Sequence, residues 1–95
     1  MAWPIDITAM NKGRILEVAF DDGQTIRLIA EKLRVESPSA EVQGHSPSQK
    51  KIVTGKENVA IVAIEPVGNY AIKIVFDDGH DTGLYTWDYL RKLAG

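Results

Sequence analysis

The tetrapeptide Phe-Asp-Asp-Gly occurs twice, at Phe20–Gly23 and Phe76–Gly79, and each copy ends a run of alternating apolar residues. Leu16, Val18 and Phe20 lead into the first, and Ile72, Ile74 and Phe76 stand 56 positions later and lead into the second. Alternation of this kind is the period of a half-buried strand. Asp-Asp-Gly then supplies turn chemistry, because Gly accepts φ > 0 and Asp bonds its own backbone. Thr25 to Leu28 can return as the second arm of a hairpin, and Ala30 to Arg34 follow with helix-forming residues. Past the second turn the offset becomes 57, so Leu28 corresponds to Tyr85, Leu33 to Leu90 and Arg34 to Arg91, with one residue inserted near His80 to Thr82. Thr86 is placed to cap the helix WDYLRKLA, with Asp88 in its first turn and Lys92 near its end. A fold must therefore accommodate the same strand, turn, strand, short-helix unit twice.

Between the repeats, Ser37 to Lys51 is rich in Ser, Pro and Gly and has no hydrophobic period; loops of that length tend to be functional or mobile. Val59 to Glu65 is a β-branched apolar run that Pro66-Val67-Gly68-Asn69 turns back into Tyr70 to Phe76, a central hairpin. The unbroken apolar character of VAIVAI predicts a strand covered on both faces. The expected architecture is an α+β single domain over residues 1–95, with two β-hairpin-plus-short-helix repeats around a central antiparallel hairpin and a core from about 11 to 93.

At 95 residues the chain suits one domain with one modest core. A formal charge of -2 repels phosphate backbones, so nucleic-acid binding is not expected, and Lys50, Lys51 and Lys56 read as a solvated cluster. The absence of cysteine excludes disulfides, thiolate catalysis and any Cys-ligated metal held by this chain. No stretch approaches ~18 uninterrupted apolar residues, and the N-terminal segment lacks a basic start followed by an apolar run. The expectation is a cytoplasmic protein with no membrane partner.

Candidate chemistry is sparse. His80 sits among Asp77, Asp78 and Asp81, a composition that can bind a divalent metal or shift an imidazole pKa. Consecutive turn residues point different ways, however, so the first expectation is a solvated turn. His45, on the Ser/Gly/Pro loop, is expected to be exposed, where a loop His can also serve a small binding site. Trp87 and Tyr89 on the terminal helix are core or partner-facing aromatics. VTGKEN is not a phosphate loop, and neither GxSxG nor HExxH occurs, so no nucleophile and base are placed together.

The runs LEVAFDDGQTIRLIAEKLRVESPSAE and TGKENVAIVAIEPVGNYAIKIVFDDGHDTGLYTWDYLRKL resemble the gamma-butyrobetaine hydroxylase-like N-terminal domain family over about Asn11 to Leu93. Members of that family stand alone in bacteria, precede the catalytic domain of gamma-butyrobetaine and trimethyllysine dioxygenases, or follow a P-loop iron–sulfur carrier domain. No catalytic activity is known to reside in the domain itself. In the dioxygenases it binds zinc through a Cys-Pro-Cys-x-x-Cys segment and a His after the second turn. Here the thiolate positions are Ser37, Ser39 and Val42, and only His80 matches.

The resulting expectation is a noncatalytic protein-interaction or adaptor module, accessory to iron–sulfur protein assembly by the resemblance, with an unidentified protein partner. The alternative is a metal- or small-ligand-binding domain using His80 and the neighbouring carboxylates, with His45, Asp77, Asp78, Asp81 and Trp87 as the ligand or partner surface. No cofactor is expected, and a weakly held divalent metal at His80 is the most that the residues leave open.

Overall fold

Each Asp-Asp-Gly turn joins the second and third strands of a three-stranded antiparallel sheet, and each sheet runs into a short helix. The computed structural model describes residues 3–38 and 55–95. In chain order the elements are β1 (Pro4–Met10), β2 (Ile15–Phe20), β3 (Thr25–Ile29), α1 (Ala30–Val35), β4 (Ile61–Val67), β5 (Ala71–Phe76), β6 (Leu84–Thr86) and α2 (Trp87–Ala94). The sheet orders are β1-β2-β3 and β4-β5-β6. The expected α+β class and its repeats are therefore present. The central hairpin is β4–β5, and β1–β2 is its counterpart in the first half, which the sequence reading did not anticipate.

The repeat extends to hydrogen-bond detail. Phe20 N–H donates to the Gln24 carbonyl at 2.8 Å, and Phe76 N–H to the His80 carbonyl at 3.0 Å. Gly23 and Gly79 adopt φ of 89° and 90°, the left-handed conformation that the turn demands and Gly permits. The first sheet shifts register between Pro4 and Asp6 and the second between Ile61 and Ala63. Both bulges turn an apolar side chain into solvent, leaving Ile5 70% and Val62 61% exposed.

That bulge, and the position of β4 at a sheet edge, correct the expectation that VAIVAI is covered on both faces: Val62 and Ala63 are exposed and Ile64 is only half-buried. The β-branched composition identified the strand but not the number of covered faces. β2 and β5 are the central strands. Leu16, Val18 and Phe20 from one, and Ile72, Ile74 and Phe76 from the other, enter a single core with Leu28, Leu33, Tyr85 and Leu90.

The halves are joined through backbone and charge. Gly13 ends the β1–β2 turn at φ 83°, and its carbonyl accepts from Ile61 N–H at 2.7 Å; a Cβ there would come within 2.2 Å of the Ile61 carbonyl oxygen. Only glycine permits that approach. Each helix then reaches the turn of the opposite half. Arg34 Nε donates to Asp78 Oδ2 at 2.8 Å, and Arg91 Nη2 to Asp22 Oδ2 at 2.9 Å, while the Arg91 guanidinium lies 4.7 Å from the centre of the Phe20 ring. The two Asp-Asp-Gly turns are thus docking points for the other half's arginine as well as hairpin turns.

Candidate functional site

Two places collect the chemistry of the described residues. The first grows from the inserted residue. His80 fills the turn position that Gln24 fills in the first repeat, since both N–H groups bond the preceding Asp side chain, at 3.0 Å for Gln24 to Asp22 and 3.1 Å for His80 to Asp78. The added residue therefore lies within Asp81 to Gly83, before Leu84, which pairs with Lys73 as Arg27 pairs with Glu17. β2 and β3 pair as far as Ala19 and Thr25, whereas β5 and β6 stop pairing at Lys73 and Leu84. The opened hairpin admits the residues that follow α1. Ser37 packs there fully buried, with Oγ 2.9 Å from His80 Nε2, and His80 itself is only 8% exposed. At Gly83 an added Cβ would meet Ser37 Oγ, so the chain just before β6 passes without a side chain where Ser37 sits.

The Tyr85 hydroxyl donates to the Leu33 carbonyl and the Tyr89 hydroxyl to the Glu36 carbonyl, so the second half supplies donors that the C-terminal end of α1 needs. Burial pushes the Tyr85 phenol well above its ordinary range, only partly opposed by its hydrogen bond to Ser37, and this keeps the hydroxyl protonated as a donor. Burial also raises the Tyr89 phenol, with Glu36 adding to the effect.

Next to it, the Asp78 side chain is 19% exposed and receives Lys56 Nζ at 2.8 Å as well as Arg34. Burial alone would raise the Asp78 carboxyl, but Lys56, the His80 backbone N–H and Arg34 outweigh it and hold the group well below the usual carboxylate range. The solvated turn expected around His80 is thus found only in part. Asp77 is exposed and bonds Ala60 N–H through Oδ1 at 3.2 Å, and Asp81 lies 4.0 Å from Lys73 Nζ, but His80 is buried.

The zinc position of the resembling family can be tested against these contacts. Among the described residues no three His, Cys, Asp or Glu side chains gather as a metal-binding group. The neighbour of His80 Nε2 is a neutral serine hydroxyl, a poor zinc ligand, and the Asp78 carboxylate of the same turn is taken by two cations. These residues do not fit a zinc site. Ser39, Val42, His45, Lys50 and Lys51 lie outside the described residues, as does most of the long loop.

The second place is a cleft of about 240 Å³ lined by Trp3, Tyr70, Thr86, Trp87 and Asp88. Thr86 caps α2, its hydroxyl accepting from Tyr89 N–H at 3.2 Å, as its position predicts. Trp87 follows, buried against the core, with Nε1 donating to the Asn69 carbonyl at 3.1 Å. That bond ties the β4–β5 turn to the helix and brings Tyr70 beside Trp87. Trp3 arrives from the start of β1, held by its N–H on Asp21 Oδ1 at 3.0 Å and by Asp21 N–H on its carbonyl at 2.8 Å. Trp3 is 43% and Tyr70 51% exposed. Of these aromatics the sequence singled out only Trp87; Trp3 and Tyr70 stand far apart in the chain, and their meeting depends on the β1 strand.

The family model for the N-terminal domain of gamma-butyrobetaine hydroxylase-like proteins matches residues 7–91. The chain belongs to the gamma-butyrobetaine hydroxylase-like N-terminal domain family. Among solved structures, it is similar to a protein of unknown function of the DUF971 family from Acidithiobacillus ferrooxidans ATCC 23270. The identity is 46% and the TM-score 0.80, over 97% of this chain and 92% of that one. Two proteins solved in solution by NMR are also similar, at 54% identity with TM-score 0.82 and 48% identity with TM-score 0.78. Each comparison covers 99% of this chain, and 70% and 73% of the respective neighbours. No curated protein matches the chain. The family thus accounts for the fold of both halves, including β1 from Ile7 onward. No helix among the described residues is long and apolar enough to cross a membrane.

Proposed function

We propose that this domain is a noncatalytic protein-interaction module that docks its partner at the cleft between the start of β1 and the N-terminal turn of α2. The observation that carries the reading is the convergence of two well-exposed aromatic rings, Trp3 and Tyr70, on the buried Trp87. Large aromatics give much contact area at little entropic cost and dominate interface energetics. The net charge of -2 favours a protein over a nucleic acid as the partner. The resemblance to domains that follow an iron–sulfur carrier makes a protein of iron–sulfur assembly the first partner to test. The setting is cytoplasmic in this reading, which a cysteine-free chain permits.

The alternative, a metal or small-ligand site at His80, draws support from the burial of His80 beside Ser37. It ranks second because Asp77, Asp78 and Asp81 are each engaged with other groups. The deciding experiment places a photo-crosslinking residue at position 70 in the producing cells, with position 27, on the exposed face of β3, as control. The reading expects one protein adduct specific to position 70 and lost on Trp3→Ser. Equal adducts at both positions, or none, would contradict it.

A further inference from the structure

The rim of the cleft carries charge as well as rings. Asp88 is exposed in the first turn of α2 and lines the cleft together with the three aromatics. Asp21, which accepts from the Trp3 backbone N–H, adds a second carboxylate next to the residue that carries one of the rings, and Arg91, on the same helix as Asp88, is paired with Asp22. The faces of Trp and Tyr rings are negative by their quadrupole, so rings and carboxylates act in the same sense.

The site is also preformed. Trp87 is fixed by its bond to Asn69, and the Tyr70 ring packs on Gly68, where an added Cβ would lie 3.1 Å from the ring. Little ordering is then left to be done on binding.

We infer that the cleft of Trp3, Tyr70, Trp87 and Asp88 receives a positively charged side chain, lysine or arginine, projecting from the partner protein. This rests on the docking function proposed above and adds the chemistry of its anchor. An aliphatic stem lies along the indole and phenol faces while the cationic head sits over a ring and meets Asp88, an arrangement that an apolar or acidic anchor cannot use.

The test uses the full chain labelled with nitrogen-15, following the two indole N–H resonances and the Tyr70 amide. It is titrated with capped pentapeptides Gly-Gly-Xaa-Gly-Gly in which Xaa is lysine, arginine, norleucine or glutamate. The lysine or arginine peptide should give a saturable shift at all three probes, at least about fivefold tighter than norleucine, with Asp88→Asn removing that preference while the spectrum stays dispersed. The glutamate peptide should not bind. Norleucine binding as tightly as lysine would overturn the cationic anchor and leave the docking surface standing as an apolar one. An unchanged preference in Asp88→Asn, or no shift with any peptide at about 20 mM, would also overturn it. Butylammonium binding more tightly than the lysine peptide would make this a site for free small cations and sink the docking form of the inference. Failure of the crosslinking experiment with the peptide preference intact would instead count against the proposed function alone.

Discussion

Phe20 and Phe76 show what one residue does in this fold. Each closes a central strand, opens an Asp-Asp-Gly turn and is almost wholly buried, at 2% and 1% exposure. Each also accepts the turn's Gly N–H on its carbonyl, at 3.1 Å from Gly23 and 3.0 Å from Gly79. Truncation of either to Ala removes a ring from the shared core and should cost about 3 to 5 kcal/mol. Phe20→Ala should show the larger loss because it also strips the ring beneath the Arg91 guanidinium. Urea unfolding of both variants checks this, and a loss under 1 kcal/mol for either would mean that the core does not depend on these rings. The pairing of these residues was legible in the sequence because strand period and turn chemistry agree there. The burial of His80 was not. A histidine among three carboxylates looks solvated until Ser37, 43 positions away, is seen to close over it.

At the scale of elements, α2 is only eight residues long and α1 six, so neither is stable by propensity alone. What fixes α2 is its cap and its packing. Thr86→Ala removes the acceptor for Tyr89 N–H and should destabilise the protein by about 1 kcal/mol. It should also weaken the cleft, since Trp87 follows directly, and a thermal melt with indole fluorescence would read both. Asp78 governs the contact between α1 and the second turn. Its carboxyl titrates lower in the folded chain than in the unfolded one, so its contribution is full above the unfolded value of about 3.9 and fades as pH falls toward the folded one. The urea midpoint of the natural chain should therefore drop between about pH 5 and pH 2.5. Asp78→Asn should start lower and drop less; an equal drop would show that Arg34 and Lys56 do not act through this carboxylate. The elements themselves were unevenly legible. The cap on α2 could be read from Thr86 and the helix-forming residues after it, whereas β1 went unread although Ile5, Ile7 and Ala9 alternate with Asp6 and Thr8, and the bulge keeps its burial from following that alternation.

For the whole molecule, the repeat is a device for mutual support. The arginine of each helix is bound by the turn of the other half, and tyrosines of the second half serve the carbonyls at the end of α1. The second half then departs from the first at one inserted residue, and the hairpin it opens is filled by Ser37 and His80 rather than by solvent. We propose that this buried pair holds the halves together without metal and that recognition falls to the aromatic cleft. Metal analysis of tag-free protein, with thermal melts in the presence and absence of chelator, tests this division most directly. Substoichiometric metal and a melting temperature unchanged by chelator are expected, both for the natural chain and for His80→Gln. One equivalent of tightly held metal, lost together with a chelator-sensitive transition when His80 is replaced, would contradict it and make the Ser37–His80 locus the functional site.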